Sequence, residues 1–181
     1  MTTAWLEEYQ PASEIEAADV ERVRQLVAAE PNAWSRGTPL HLTASALVVD
    51  PASGKVLLRW HQRQGKWLQV GGHGDPGESD PLAVALREAA EETGLADLAP
   101  WPDARLYHVV ICDVAPGKGE PAHHHADLRY LLATGQPGSI RPESADAPLR
   151  WLTFAEARAL VGANNITVTL DRAEQALAQR R

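Results

Sequence analysis

The order of the segments predicts an α/β (α+β) fold, a sandwich of helices around one mixed β-sheet. Three observations lead to this fold class. Two β-rich segments flank a PASG turn within residues 40–60, a helix with signals at both ends begins near residue 81, and further β-rich segments follow that helix. The 181 residues suit one domain, with an N-terminal helical extension of about residues 1–36.

The first predicted element is an amphipathic helix over residues 14–30, which Pro31 ends. Residues 40–50 and 55–60 are rich in β-forming side chains and predict an antiparallel hairpin with PASG as its turn. Residues 67–70 predict a further short strand. The apolar positions expected to pack the first helix against the core are Ile15, Val23, Leu26 and Val27.

The second predicted helix has a signal at each end. Asp80 is a good N-cap, Pro81 suits the first helical position, and Gly94 stands just beyond the last turn. After it, residues 105–114 and 126–134 predict two strands separated by the polar, Gly- and Pro-rich loop APGKGEPAHHH. A last strand over residues 150–153 and helices over 155–161 and 171–181 complete the expected order.

Composition and charge exclude several classes of protein. A net charge of −7 argues against a nucleic-acid backbone binder, which needs Lys and Arg to neutralise phosphates, but it leaves a small phosphorylated ligand open. Cys112 is the only cysteine, so the chain has no internal disulfide and no CxxC metal site. No segment approaches the roughly 20 apolar residues of a membrane span, and no signal peptide is recognisable. We therefore expect a cytoplasmic protein without a membrane partner.

The second helix carries an acidic face. Glu88, Glu91 and Glu92 fall within an arc of about 100° when successive residues are plotted on a helix. Three carboxylates this close raise each other's pKa unless a cation lies among them, and oxygen ligands suit Mg²⁺, Mn²⁺ or Ca²⁺. The opposite side of the helix is expected to be buried, through Leu82, Leu86, Ala89, Ala90 and Thr93.

The loop before this helix favours a metal site over an ordinary solvated acidic face. Gly71 and Gly72 permit a close approach of the backbone, so that a carbonyl can join the metal ligands, and Asp75-Pro76-Gly77 is a strong turn sequence. Arg87 stands next to Glu88 and one turn before Glu91, where it can hydrogen-bond a carboxylate and fix its position.

The segment GGHGDPGESDPLAVALREAAEETGL resembles the Nudix box, G-x5-E-x7-R-E-U-x-E-E-x-G-U, where U is a bulky apolar residue. The match runs from Gly72 to Leu95. It departs from the pattern in two ways, because eight residues separate Glu78 from Arg87 and Ala89 is small. The extra residue lies at or before the N-cap, so the glutamates keep their register. Residues 65–73 and 123–127 further resemble a group of bacterial Nudix proteins with a GKWLQ-GGH segment and a later H-x-H-x-D.

The resemblance implies a Nudix-type α/β/α sandwich that hydrolyses phosphoanhydride bonds with Mg²⁺ or Mn²⁺. It implies that Glu88, Glu91 and Glu92, with the Gly71 carbonyl, bind the metal ions, and that Arg87 positions Glu88. The base that takes the proton of the attacking water differs among members of the family. The candidates in this chain are Glu88, Glu92 and Glu143.

Further residues are weaker candidates for substrate contact. Arg59, His61 and Lys66 precede the box and are candidates for binding phosphates, while Trp67 is a candidate for stacking on a base. Solvent exposure of the basic residues and core packing of the tryptophan are the alternatives.

Three consecutive histidines, His123-His124-His125, raise the question of a second metal site. Only His123 and His125 can share a face of a strand. Without a cysteine or a third nearby histidine, we expect a loop role rather than a transition-metal site, with substrate contact as the functional alternative.

Sequence markers do not select one substrate. The ADP-ribose subfamily has a Pro where this chain has Val110 and Ile111, and the dinucleoside polyphosphate subfamily has a Tyr near Cys112 and Asp113. A nucleoside triphosphate, another nucleoside diphosphate derivative and an isoprenyl diphosphate isomerisation remain open. A catalytically silent ligand sensor is the alternative to an enzyme, although such a domain is expected to lose a box glutamate. Many family members are homodimers, which leaves that state open here.

Overall fold

The computed structural model describes residues 3–117 and 119–180, and within them it has eight strands and five α-helices. The strands are β1 (Leu40–Asp50), β2 (Lys55–His61), β3 (Lys66–Leu68), β4 (Val70–His73), β5 (Ala99–Pro100), β6 (His108–Val114), β7 (His123–Ala133) and β8 (Leu149–Leu152). The helices are α1 (Ala4–Glu7), α2 (Glu14–Ala29), α3 (Pro81–Thr93), α4 (Phe154–Val161) and α5 (Ile166–Ala178). One mixed sheet between helices confirms the predicted fold class.

Strand β1 is the centre of the sheet. It pairs antiparallel with β2 and β4 and parallel with β7, which also pairs antiparallel with β6. The predicted hairpin of β1 and β2 is confirmed, with Val49 opposite Val56. Because side chains alternate between the faces of a sheet, these registers decide which residues of β1, β4 and β7 lie together.

The sheet has a helix layer on each face. Ala46 of β1 belongs to the core cluster that includes Val84 of α3 and Val23 of α2, and we call this side the α3 face. Leu47, the next residue, belongs to the cluster that includes Leu170 of α5, and we call that side the α5 face. Among the described helices, none has the length and apolar character needed to cross a lipid bilayer.

Helix α3 begins and ends where its capping residues predict. The backbone N–H of Leu82 donates to the Asp80 side chain over 3.0 Å, Pro81 occupies the first turn, and Gly94 takes the left-handed conformation at φ 68°. A side-chain N-cap of this kind contributes about 1 kcal/mol. Local sequence therefore fixes the position of the helix that carries the glutamates.

The N-terminal helices are bound to the core through a buried ion pair. Arg172 of α5 donates to Glu16 of α2 over 2.7 Å, and Tyr9 also donates to this carboxylate. The expected apolar face of α2 is wrong at one position, since Ile15 is 80% exposed and Val20 is buried instead. Ile15 lies in the first turn of α2, where the neighbouring Glu16 faces the interior instead.

Three predicted elements begin three or more residues away from where the structure begins them. Strand β7 begins at His123 rather than at 126, because the chain already pairs with β6 at His123 and with β1 from His124, whose N–H donates to the Pro39 carbonyl over 2.7 Å. The three histidines are therefore strand residues and not part of the loop. Strand β6 begins at His108 rather than at 105, and α5 begins at Ile166 rather than at 171. Arg181, in the predicted C-terminal helix, lies outside the described residues.

Candidate functional site

The glutamates of α3 lie against the two glycines of β4. A Cβ atom built on Gly72 would stand 2.6 Å from Oε2 of Glu88, and the N–H of Gly71 donates to Oε2 of Glu92 over 3.0 Å. A side chain at position 72 would therefore displace the Glu88 carboxylate from its present place. The predicted proximity of the glycine pair and the acidic helix is therefore present in the structure, while a metal-ligand role for the Gly71 carbonyl stays a prediction.

Arg87 forms hydrogen bonds with four groups at this site. Its guanidinium donates to both oxygens of Glu78 over 3.0 and 2.8 Å, to Glu88 over 3.0 Å, to Glu91 over 3.1 Å and to the His73 carbonyl over 2.9 Å. The paired bonds to Glu78 are the strongest class of Arg–carboxylate contact. Arg87 thus fixes the loop and the helix in one arrangement, and the carboxyl of Glu78 has a lowered pKa beside it.

The Asp75-Pro76-Gly77 turn brings Glu78 to Arg87. The N–H of Glu78 donates to the Asp75 carbonyl over 3.0 Å, and Gly77 has a positive φ of 96°. The turn places Glu78 beside Arg87, which the altered spacing of the box did not predict. The one-residue extension lies before the helix and does not separate Glu78 from Arg87.

A second arginine joins the box to a distant loop. Arg59 of β2 lies 3.2 Å from Glu92 and 2.8 Å from Glu143, two residues that are 51 positions apart in the sequence. The side chain of Glu143 is 57% exposed, whereas that of Glu92 is 12% exposed. The structure therefore brings all the predicted catalytic and metal-binding residues into one region, with Glu143 at its solvent side.

Burial changes the acidity of two of these glutamates. Desolvation raises the pKa of Glu92 to about 7, with Arg59 opposing the shift and Glu88 adding to it. Desolvation also raises the pKa of the Glu88 carboxyl, and the ion pair with Arg87 opposes that change. Carboxylates kept from water in this way are stabilised when a cation binds among them, so the donor set fits a hard divalent ion.

The expected division of α3 into a buried and a solvent-facing side needs correction. Val84 and Ala85 are fully buried, whereas Leu82 and Leu86 are only partly buried. Helix α3 contacts both β1 and β4, so its buried arc is wider than the apolar pattern indicates and includes part of the acidic side. Glu91 is the exposed glutamate of the three, at 58% for its side chain.

The hairpin residues are divided between the two faces of the sheet. Strand alternation places His61 and Lys66 on the same face as Arg59, and Trp67 on the other. The Trp67 ring lies 5.8 Å from that of Trp60, and the Arg150 guanidinium stands over it at 5.6 Å. The ring of Trp67 is therefore already in contact with protein groups, and its stacking on a substrate base stays a prediction.

His123 and His125 lie together with two histidines from other strands. The Nε2 atom of His125 is 3.1 Å from that of His123 and 3.2 Å from that of His73, which in turn is 3.2 Å from Nε2 of His41. We call these four residues the histidine cluster. The expectation that no third histidine lies near His123 and His125 is wrong, because strand pairing brings β1 and β4 beside β7.

Burial keeps most of these rings neutral near pH 7. Desolvation lowers the pKa of His73 to about 4 and that of His125 to about 3, and it also lowers the pKa of His41. His124 points to the opposite face, where its Nε2 lies 3.2 Å from Asp113. The prediction that only His123 and His125 share a face is confirmed by this arrangement.

Sequence reasoning missed three contacts of the site. The two hydrogen bonds between Glu78 and Arg87 were not predicted because the spacing of the box is altered, although the Gly-x5-Glu pattern includes Glu78. The participation of His41 and His73 requires knowledge of which strands are neighbours. The double contact of Arg59 requires the same knowledge, since its partners come from α3 and from a loop.

A comparison with family models finds that the NUDIX domain matches residues 39–172. This range includes the sheet, the glutamates and the histidine cluster, and it covers more than half of the chain. A comparison with curated proteins by sequence finds no match.

Solved structures similar to this one are hydrolases by name. A C. elegans Ap4A hydrolase in a binary complex is 20% identical with a TM-score of 0.60, covering 76% of this chain and 98% of its own. A Clostridium perfringens NUDIX-family hydrolase is 24% identical with a TM-score of 0.55, covering 78% and 98%. The E. coli dihydroneopterin triphosphate pyrophosphohydrolase is 18% identical with a TM-score of 0.52, covering 78% and 94%. Likeness at this level of identity shows a shared fold.

Proposed function

Because this chain belongs to the Nudix superfamily, we propose that it is a pyrophosphohydrolase that cleaves a phosphoanhydride bond of a small phosphorylated substrate and requires Mg²⁺ or Mn²⁺. One observation carries the proposal: Glu88 and Glu92 converge on Gly71 and Gly72, and Arg87 holds this arrangement together. The family supplies the reaction class, and the geometry supplies the residues.

The metal ligands in this proposal are Glu88, Glu91 and Glu92, with the Gly71 carbonyl as a fourth. Bound Mg²⁺ neutralises the charge of a diphosphate and increases the acidity of a coordinated water. Other residues of the chain hold these glutamates in position. Arg87 fixes Glu88 and Glu91 from one side, and the N–H of Gly71 with Arg59 fixes Glu92 from the other.

We assign the acceptor of the water's proton to Glu143, with Glu88 and Glu92 as the alternatives. Glu143 is the one candidate base with no proposed role as a metal ligand, and it is exposed to solvent where a substrate can reach it. The ion pair with Arg59 holds its carboxylate next to the box, and a general base must lie within reach of the water that it activates. Glu92 keeps its place among the alternatives because burial raises its pKa to about 7.

The basic residues of the hairpin are the proposed contacts for the phosphates of the substrate. Arg59, His61 and Lys66 share the sheet face that carries the glutamates, so they are positioned to receive the phosphates of a nucleoside triphosphate or nucleoside diphosphate derivative. The names of the C. elegans and E. coli relatives point to substrates of this chemistry, and we extend it to this chain at the level of the phosphoanhydride only.

The proposal is tested with a panel of nucleoside triphosphates, nucleotide sugars, dinucleoside polyphosphates and prenyl diphosphates, each with excess Mg²⁺, excess Mn²⁺ or EDTA. The readout is release of phosphate or pyrophosphate, together with product analysis. We expect turnover of one class with metal only, reduced at least about 100-fold in Glu92→Gln, as expected for loss of one preorganised electrostatic contact. Glu21→Gln on the exposed side of α2 is the matched control and should keep full activity.

Four results would contradict the proposal. Equal turnover in EDTA would remove the metal from the mechanism, and full activity of Glu92→Gln would remove the assigned ligand. Isomerised prenyl diphosphate without phosphate release would identify an isomerase. Stabilisation by nucleotide and Mg²⁺ without turnover of any class would favour a ligand sensor.

A further inference from the structure

We propose that the histidine cluster, His41, His73, His123 and His125, is a second metal site that binds a divalent transition-metal ion such as Zn²⁺. This site is separate from the glutamates of α3. It draws its residues from three neighbouring strands, β1, β4 and β7, and all its ligand atoms are imidazole nitrogens. Imidazole suits Zn²⁺ and related transition metals, whereas carboxylates suit Mg²⁺.

The registers of the sheet bring the four rings to one face. His41 is paired with His125 across the parallel β1 and β7, and Thr43, two residues along β1, is paired with His73 of β4. Paired residues and residues two positions apart share a face. The cluster therefore lies on the α5 face, because Leu47 of the same β1 alternation packs in the core beneath α5.

The spacing of the nitrogens matches a metal shell. The three Nε2–Nε2 separations along the order His41, His73, His125, His123 are 3.2, 3.2 and 3.1 Å. Nitrogens bound tetrahedrally to Zn²⁺ at about 2.0–2.1 Å stand about 3.3 Å apart. One ring nitrogen from each of His41, His123 and His125 falls within 4.8 Å of the others, which gives three ligands, and Nε2 of His73 lies 3.2 Å from two of these rings.

Hydrogen bonds on the outer side of the cluster orient two of the rings. Nδ1 of His41 lies 3.0 Å from the Thr38 carbonyl, and Nδ1 of His123 lies 2.9 Å from the Pro121 carbonyl. A carbonyl only accepts, so each Nδ1 carries a proton, and in the neutral form of the ring each Nε2 presents a lone pair to the cluster. Histidine ligands of metals are oriented by this kind of contact.

Neutral rings cannot satisfy all three inner contacts by hydrogen bonding. With lone pairs on Nε2 of His41 and His123, His73 must donate to His41, and His125 must donate to His123. The contact between His73 and His125 is then left with two donors and no acceptor. A cation that accepts all four lone pairs removes this conflict, with the ring protons on Nδ1.

The cluster is reached from solvent through a small cavity. This cavity has a volume of about 110 Å³ and is lined by His41, His73 and His123 together with Arg36 and Glu120. The Glu120 carboxylate lines this cavity opposite the charge of Arg36 and pairs with Arg63 over 2.9 Å. A hydrated cation therefore has a route to the nitrogens that does not pass the glutamates of α3.

Strand β4 separates the two sites. Gly72 faces Glu88 on the α3 face, and alternation places the His73 side chain on the α5 face. The two sites still share backbone, because Arg87 donates to the carbonyl of His73 over 2.9 Å. A metal at the histidine cluster would thus stabilise β4, the strand that binds Arg87 through the His73 carbonyl and leads into the box loop.

Metal binding by the full chain tests the proposal directly. The purified protein is stripped with EDTA, dialysed and titrated with Zn²⁺ by calorimetry and with Co²⁺ by visible absorption, in the presence of excess Mg²⁺. We expect about one Zn²⁺ per chain that Mg²⁺ does not displace, and a Co²⁺ spectrum of a nitrogen-ligated, four-coordinate ion.

Four variants assign the ion to its site. His125→Gln and His123→Gln should each lower Zn²⁺ affinity at least about 10-fold, the low end for disturbing a metal site. His124→Gln is the matched control, because the same strand presents its side chain to the opposite face, and it should bind like the wild type. Glu88→Gln/Glu92→Gln should also keep the Zn²⁺ site. His123, at the rim, serves if the more buried His125 variant does not fold.

Several outcomes would overturn the proposal. If the wild type does not bind Zn²⁺, or if Mg²⁺ displaces it, the cluster is a hydrogen-bonded group of histidines without a metal. Equal loss of affinity in His124→Gln would place the ion on surface histidines. Loss in the double glutamate variant, with retention in His123→Gln, would place it on α3.

Discussion

Glu92 should make the metal-free protein less stable at neutral pH than at acid pH. Its carboxyl lies against the Gly71 N–H with only 12% of its side chain exposed, and burial raises its pKa from 4.5 to about 7. The folded protein therefore retains the proton over a pH range in which the unfolded chain has lost it. Stability is lost as pH rises between these two pKa values and stays low above them.

The magnitude follows from this difference in pKa. Each pH unit between the two values is worth about 1.4 kcal/mol, which gives an upper estimate of about 3 kcal/mol at pH values above 7. Glu92→Gln removes this penalty, in which the attraction of Arg59 for the ionised carboxylate is already included. We expect the variant to be more stable than the wild type by roughly 2 kcal/mol at about pH 8, and equally stable at about pH 4.

Urea unfolding in EDTA at both pH values measures this effect, followed by the same titration with Mg²⁺. Added Mg²⁺ should stabilise the wild type and not the variant, because it binds the ionised carboxylates of the folded state. A Glu92→Gln protein that is less stable than the wild type at about pH 8 without metal would refute the reasoning. A stability difference that does not change with pH would refute it equally.

Three further predictions concern the geometry of the site and the core. Gly72→Ala should remove metal-dependent turnover, because the added Cβ meets Glu88. Gly138→Ala, with no atom near its Cβ position, should be fully active. Equal activity of both variants in the phosphate-release assay would contradict the close approach of Gly72 and Glu88. Arg87→Lys should lower kcat/KM at least about 10-fold, because an ammonium cannot replace the paired contacts to Glu78, and wild-type kinetics would show that these contacts do not position the site. Leu170→Ala should cost about 2–5 kcal/mol in urea unfolding and Leu86→Ala clearly less, since Leu170 is fully buried and Leu86 partly; the reverse order would contradict the assigned faces of α3.

Local signals predicted the position of α3 and its chemistry. Asp80, Pro81 and Gly94 act within one turn of the residues that they cap, so the bounds of the helix follow from neighbouring residues. The hairpin of β1 and β2 follows in the same way from the turn between them. The acidic side of the helix was recognisable because the spacing of its three glutamates is also local.

The histidine cluster was not predictable in this way. His41, His73 and His125 are distant in sequence and become neighbours only because β1 pairs with both β4 and β7. The beginning of β7 was missed for a related reason, since His123 has the polar character of a loop residue and becomes part of a strand through pairing with β6 and β1. The burial of Glu92 likewise depends on contacts of α3 with two strands, which a helix pattern does not contain.

We propose that the glutamates of α3 bind the metal for phosphoanhydride cleavage. The most direct measurement is the rate of phosphate or pyrophosphate release as a function of Mg²⁺ concentration, compared between the wild type and Glu92→Gln on the best substrate of the panel. We expect the wild-type rate to rise from zero to a plateau and the variant rate to remain near zero throughout. A wild-type rate that does not depend on Mg²⁺, or the same curve for both proteins, would contradict the claim.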